Sequence, residues 1–389
     1  MSETCPGPSQ FLTLPPRGGR PGRGGIPTVE TADRRAAYAL QGRDSPHPWP
    51  LPTRGRGKKA ARTLRQLAMS VIALVLLAPA VARAAWQPSK PISFIVMAGP
   101  GGGADKATRF LVEVIEKRKL APVAVTVVNM PGRSGGEALL AMQARQGDDH
   151  AILFTLNSFY TTPLLQPDLR IDVARFAPIA RLAEDVFLLW VHKDRTDINS
   201  IDDFVKAAKA RGQGWVMAGT GTGAEDQMLT DFLNSTYGLD MTYRDKGGGG
   251  EVARELAEKR ADSTVNNPSE QADYHAKGLT KPIVAFTPQR LKGYPLVPTL
   301  RETGMDFSYF MQRSVVGPPG MSADARAWYE ALFRALFDSD EWKTYRDRNS
   351  LAGAFLGGGP LMNYWMLERE KHVRWRMAID SLKGIAPAR

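Results

Sequence analysis

The sequence predicts an α/β fold in which parallel sheets are covered by helices on both faces. Three observations support this prediction: short apolar runs alternate with runs of helical period, glycine-rich loops follow strand-like runs, and those loops open helices. Ligands of such sheets bind at the carboxyl ends of the strands, where these loops gather. We therefore expect a binding site built from glycine loops.

The first unit begins with a buried strand at 92–97, which enters the loop Gly99–Gly103. Apolar residues at i and i+4 predict a helix over 104–119. The elements predicted next are a strand at 123–129 closed by Pro131-Gly132, a helix at 137–145, a strand at 151–155 and a strand at 186–192.

A second unit repeats the same design. Ser200 is the expected N-cap of a helix over 201–210. The elements that follow are a strand at 215–218, glycines at 219–223, a helix at 224–237, a short strand at 242–243, glycines at 247–250, a helix at 251–259, and strands at 263–265 and 283–286. The segment 308–317 is expected to return to the first unit, and helices at 323–337 and 361–382 finish the chain.

Charge is distributed unevenly along the 389 residues, which carry a net charge of +11. Residues 1–85 contain 13 Lys/Arg and 4 Asp/Glu, so most of the excess lies there. The nearly neutral remainder argues against a nucleic-acid partner, which needs a basic stripe on the fold itself. The only cysteine is Cys5, which excludes a disulfide framework and a Cys-rich metal site.

The N-terminal region has the composition of a leader. Residues 1–60 are rich in Pro, Gly and Arg, which predicts disorder, and we interpret them as a start codon assigned too far upstream rather than as an RNA-binding arm. Residues 61–85 have the pattern of a signal peptide: a basic segment, the apolar run 67–77 and the small-x-small site Ala82-Arg83-Ala84. Cleavage near Ala84 and export to the periplasm are therefore expected, with no lipid anchor because no cysteine follows.

Two enzyme motifs are incomplete. The turn at 99–104 fits G-x-G-x-x-G/A, but the acid that should end the second strand is replaced by Asn129, which argues against a dinucleotide site. Residues 132–136 match G-x-S-x-G, although Met130-Pro131 separates this segment from its strand. A secreted serine hydrolase using Ser134 remains the alternative class, while no spacing indicates a metal or cofactor.

The loops are better suited to holding an anion than to transforming one. Unpaired N–H groups at a helix N-terminus favour anions, and the loops also carry hydroxyl and amide side chains. The anion is expected to bind through the backbone of 101–103, with Lys106 solvated. No nucleophile–base pair is evident, so we expect no catalytic residue.

Five segments resemble motifs of one protein family, and they occur along the chain in the same order as in that family. They are similar to glycine-loop and VPT motifs of the periplasmic solute-binding proteins of tripartite tricarboxylate transporters, the Bug receptor family. The segments are 95–105, 129–136, 219–227, 243–249 and 297–304. A sixth segment, 263–268, resembles a pattern found near the tricarboxylate-binding branch of that family. The resemblance covers about 87–384. The sequence departs from the family's motif at Gly99 and at Ala104, where the family usually has Thr or Ser.

The resemblance implies a two-domain, Venus-flytrap receptor, each domain a mainly parallel sheet flanked by helices. It places domain 1 at 86–190 plus 310–389 and domain 2 at 191–309. Carried over by position, the implied ligand-binding residues are Gly101, Gly102, Gly103, Ala104, Asp105, Ser134, Asn157, Ser158, Gly221, Thr222, Asn266 and Asn267.

The implied function is capture of a small organic di- or tricarboxylate and its delivery, by a monomer without cofactor, to the membrane subunits of a transporter. A receptor that serves a sensor system is a further alternative. Asp105 also suits an ammonium group, so an amino-acid ligand stays open beside citrate-like, dicarboxylic and aromatic acids.

Overall fold

The computed structural model describes residues 86–382, so the predicted signal peptide and N-terminal extension lie outside the described residues. Its strands, in chain order, are β1 (Ile92–Val96), β2 (Val125–Asn129), β3 (Ala151–Thr155), β4 (Ala177–Val186), β5 (Leu188–His192), β6 (Val216–Thr220), β7 (Thr242–Lys246), β8 (Ser263–Asn266), β9 (Thr280–Ala285), β10 (Phe310–Gly317) and β11 (Leu356–Gly357).

Helices connect these strands and cover the sheets. They are α1 (Gly103–Lys117), α2 (Gly136–Ala144), α3 (Ser158–Leu165), α4 (Ile201–Arg211), α5 (Glu225–Tyr237), α6 (Gly249–Ala257), α7 (Pro268–Ala276), α8 (Ala323–Phe337), α9 (Asp340–Arg348) and α10 (Gly358–Leu382). The predicted N-cap of α4 is confirmed, since the Ser200 hydroxyl accepts from the Asp203 amide at 3.1 Å.

The described residues form two sheets. A six-stranded sheet has the order β11-β4-β10-β3-β1-β2, and a five-stranded sheet has the order β7-β6-β8-β5-β9. We call the parts of the chain built on them the first lobe and the second lobe. The chain passes from the first sheet to the second at Phe187, between β4 and β5, and returns between β9 and β10.

The sheets are mixed, which corrects the expectation that each is mainly parallel. In the first lobe β1 pairs in parallel with β2 and β3, whereas β10 and β11 pair antiparallel with their neighbours. In the second lobe β6 pairs in parallel with β7 and β8, whereas β5 pairs antiparallel with β8 and β9. Strands β4, β5, β9 and β10, which make only antiparallel pairings with other strands, adjoin the passages between lobes, whereas β11 is an antiparallel edge strand near the end of the chain. The predicted α/β class with two helix-flanked sheets is confirmed.

Helix α10 reaches from one lobe to the other. It packs on β4 of the first lobe, and its Trp375 ring lies 6.1 Å from Phe232 of α5 and 5.5 Å from Phe307. Between residues 86 and 382, no helix has the combined length and apolar character required to cross a bilayer.

Candidate functional site

A cleft of about 930 Å³ lies between the two sheets, at the carboxyl ends of β1, β3 and β6. It is lined by residues of both lobes, as the positions of the glycine loops in the sequence predicted. Of the implied ligand-binding residues, those that line the cleft are Gly102, Gly103, Ala104, Ser134, Ser158, Gly221, Thr222 and Asn267.

The other four implied residues, Gly101, Asp105, Asn157 and Asn266, do not line the cleft, and their side chains or amides are hydrogen-bonded within the protein. Asn157 donates to the Phe310 carbonyl at 2.8 Å and accepts from the Gln312 amide at 3.0 Å. Asn266 donates to Glu270 Oε2 at 2.9 Å. The Gly101 amide donates a hydrogen bond to the Asp105 carboxylate.

Asp105 holds the first glycine loop in shape. Its Oδ2 accepts from the Gly101 amide at 2.9 Å, and its Oδ1 accepts from Arg109 Nε at 2.9 Å. Burial acts to raise the pKa of this carboxyl, but the hydrogen bonds from Arg109 and Gly101 outweigh it and lower the pKa. Asp105 is therefore an anion fixed to its own loop in this structure. An ammonium ligand would have to share it with Arg109.

The N-terminus of α1 receives a carboxylate from the second lobe. The Gly103 amide donates to Glu270 Oε1 at 3.0 Å, and Glu270 Oε2 accepts from the Asn267 amide at 3.1 Å. Asn267 and Glu270 also form the capping box of α7, so the same carboxylate serves two helix starts. Lys106, expected to be solvated, instead donates to the Ser269 carbonyl at 2.8 Å.

The N-terminus of α3 receives a second carboxylate from the second lobe. The Ser158 amide donates to Glu225 Oε1 at 2.8 Å, and Glu225 is only 2% exposed. Burial raises the pKa of the Glu225 carboxyl, against the backbone hydrogen bonds that act to lower it. Burial and the neighbouring Glu270 raise the pKa of Asp226 well above its usual value.

Glycines allow the two lobes to meet at one edge of the cleft. A Cβ on Gly99 would collide with the carbonyl group of Gly247, and a Cβ on Gly250 would lie 2.9 Å from the Gly101 oxygen. Backbone therefore packs directly on backbone between the two lobes. Only a residue without a side chain permits this approach at Gly99.

The loop before α2 has an unusual backbone and spans the cleft. Arg133, Ser134 and Gly135 have φ values of 55°, 55° and 82°, a left-handed region that costs energy for the two non-glycine residues. The Ser134 hydroxyl donates to the Thr222 carbonyl of the second lobe at 2.7 Å. No histidine is among the described residues that line the cleft. The Ser134 hydroxyl is thus held by a hydrogen bond to a backbone carbonyl of the other lobe.

A buried ion pair lies at the base of the cleft. Arg313 of β10 donates from Nε to Asp185 Oδ2 at 3.0 Å and from Nη2 to Asn267 Oδ1 at 3.1 Å. Asn267 donates in turn to the Val186 carbonyl at 2.7 Å. This network connects the last residues of β4, the strand β10 and the start of α7, and so joins the two lobes.

Glu225, Glu270 and Arg313 were not predicted as site residues. Glu270 has a sequence signal, because an Asn followed three residues later by Glu indicates a capping box. Glu225 and Arg313 have none, since their partners Ser158 and Asp185 lie far away in the sequence. Within residues 86–382 no group of His, Cys, Asp and Glu side chains is arranged to hold a metal ion.

Comparison with known proteins gives a family and a fold. The profile of the "Tripartite tricarboxylate transporter family receptor" family matches residues 108–334. Rpa4515 of R. palustris, solved with adipate, superposes with a TM-score of 0.68 at 20% identity, covering 77% of this chain and 99% of that one. MatC of Rhodopseudomonas palustris, solved with malate, gives 0.67 at 21% identity, covering 75% and 99%. The periplasmic binding protein BugD gives 0.69 at 18% identity, covering 76% and 98%.

Proposed function

Because the chain belongs to the tripartite tricarboxylate transporter receptor family, we propose that it is a periplasmic solute receptor that binds a small organic carboxylate in the cleft between its lobes. The observation that supports this most is the cleft itself, into which the N-terminal turns of helices from both lobes open. The structural neighbours solved with adipate and malate suggest the same class of ligand.

Backbone amides are the proposed donors to the ligand. Ala104 lies in the first turn of α1, where N–H groups lack intrahelical acceptors and where the helix dipole favours an anion. Thr222, on the loop before α5, adds a hydroxyl from the second lobe. The twelve residues implied by the resemblance stay our proposal for the binding set, with the four that do not line the cleft acting through the loops they hold.

A binding role is favoured over hydrolysis by the environment of Ser134. Its hydroxyl proton is directed at the Thr222 carbonyl, and a nucleophile would need a base within hydrogen-bond reach instead. We also propose, from the family, a monomer that passes its ligand to separate membrane subunits. The remaining alternative is that the receptor delivers its signal to a sensor system instead of its ligand to a transporter.

A carboxylate is expected to stabilise the protein against heat. A ligand present at about one hundred times its Kd stabilises the folded state by roughly 2.7 kcal/mol. Thermal unfolding in the presence of mono-, di- and tricarboxylates, including adipate and malate, measures this effect. Neutral amides of the same length, such as adipamide, are the control. If no carboxylate raises the Tm more than its amide does, the proposed function is wrong.

Processing of the leader is a separate proposal. We also propose that domain 1 starts at residue 86 and that the two domains are divided as the resemblance implies. N-terminal sequencing of protein from the periplasmic fraction is expected to start near Ala85. Ala84→Phe should accumulate the precursor, because the cleavage site requires a small residue there. Recovery of periplasmic protein with residues 6–56 attached would contradict the proposal.

A further inference from the structure

Two positions that a ligand carboxylate could occupy are taken by carboxylates of the chain itself. Glu270 accepts from the Gly103 amide at the start of α1, and Glu225 accepts from the Ser158 amide at the start of α3. Both acids come from the second lobe and both helices belong to the first. Each acid thus makes the hydrogen bond that a bound organic acid would make.

The wall of the cleft carries more acids than these two. Five acidic residues line it, against four basic ones: Glu225, Asp226, Asp245, Glu251 and Glu270, and Arg133, Lys246, Arg313 and Arg376. Three of the four basic residues form ion pairs with acids that are not part of this wall.

Those pairs are well defined. Arg313 pairs with Asp185, Lys246 with Glu255 at 3.2 Å, and Arg133 with Asp168 at 2.5 Å. Each of these three positive charges therefore already has a carboxylate partner before any ligand enters.

We propose that this receptor selects small organic acids with a single carboxylate, whose other groups are neutral or cationic, and that Glu225 and Glu270 set this specificity. The proposal rests on the proposed function and narrows it. Two helix N-termini are already satisfied, so a second or third ligand carboxylate would meet acidic side chains instead of free donors.

The physical cost of a second carboxylate is like-charge repulsion in a partly desolvated site. Two anionic groups within a few ångström of each other disfavour each other's charged form, and burial strengthens this effect. Burial raises the pKa of both Glu225 and Asp226, and for Asp226 the neighbouring carboxylates of Glu270 and Glu225 add to this effect. A ligand amide or hydroxyl at the same place avoids the repulsion and can donate to Glu225 or Glu270.

Matched acid and monoamide pairs test the proposal on the full chain. Succinate and succinamate have nearly the same shape and differ by one negative charge, as do adipate and adipamate. Calorimetry is expected to show at least about tenfold tighter binding of the monoamide in one of these pairs. Equal or tighter binding of the diacid in both pairs would overturn the inference and leave the proposed function standing. If neither diacid nor monoamide binds, and no other carboxylate does, the proposed function fails as well.

Two variants assign the specificity to the residues. Glu270→Gln and Glu225→Gln remove the charge and keep one oxygen that can accept from the Gly103 or Ser158 amide. In Glu270→Gln the acceptor of the Asn266 and Asn267 donors is lost, so the Tm of each variant is measured beside its affinities. Each should shrink the preference for the monoamide by improving diacid binding. Glu113→Gln, on the exposed face of α1 and outside the cleft, makes the same charge change and should leave the preference as in the wild type. A preference unchanged in both cleft variants, with their Tm maintained, would show that these residues do not set it.

Discussion

Replacing Arg313 by methionine is expected to lower the free energy of unfolding by about 3–5 kcal/mol, because it leaves the Asp185 carboxylate buried without its cation. Both side chains are 2% exposed, so water cannot replace the lost partner. Asn267 loses a donor in the same step, since its Oδ1 accepts from Arg313. Urea unfolding followed by tryptophan fluorescence measures the change.

Two further variants separate the ion pair from the loss of side-chain volume. Adding Asp185→Leu to Arg313→Met should recover a large part of the stability, because a buried ion pair replaced on both sides by apolar groups is often nearly neutral. Arg301→Met removes an arginine from an exposed pair with Asp306 and should change stability little. If the double variant is no more stable than Arg313→Met alone, the cost does not come from the stranded charge.

The alternation of strands and helices could be predicted because most elements follow local rules. Residues 92–96 and 151–155 are mostly apolar runs, and both are interior strands of the first sheet. The glycine loops mark where strands end and helices start. These features depend on neighbouring residues only, so the sequence shows them directly.

Strand β4 was not predicted, for a physical reason. It contains Pro178 and the charged residues Arg181, Glu184 and Asp185, which normally indicate an exposed segment. In the structure it lies inside the sheet, and these charges are satisfied by Arg313 and by the pair that Arg181 and Glu184 form with each other. A buried charge is acceptable only with its partner, and Arg313 lies more than a hundred residues away.

The candidate site, like the fold, could be predicted only where neighbouring residues in the sequence determine it. Gly102, Gly103 and Thr222 lie on loops marked by a local signal, glycine and hydroxyl residues after a strand, whereas Ser134 was implied by the family resemblance; all four line the cleft. That the Gly103 amide is already occupied could not be predicted, because Glu270 reaches it from the other lobe. The backbone binding expected for 101–103 therefore has fewer free donors than the loop sequence suggests.

Replacing Gly99 by alanine is expected to weaken ligand binding by on the order of 1–3 kcal/mol, a typical cost of forcing extra atoms into a packed contact. The added Cβ would collide with the carbonyl group of Gly247, and backbone cannot turn aside as a flexible side chain can. Gly99 does not have a positive φ, so alanine fits its backbone and the effect is purely steric.

The strain should be relieved by separation of the lobes rather than by unfolding, because Gly99 and Gly247 belong to different lobes. Gly99→Ala should therefore reduce affinity more than Tm, and small-angle scattering with saturating ligand should show a larger radius of gyration. Gly250→Ala approaches the same contact from the second lobe, where its Cβ would lie 2.9 Å from the Gly101 oxygen, and should act in the same direction. Gly214→Ala is the control, since no atom lies within 4 Å of its Cβ. Wild-type affinity in both Gly99→Ala and Gly250→Ala would mean that the contact between the two glycine loops is not required for binding.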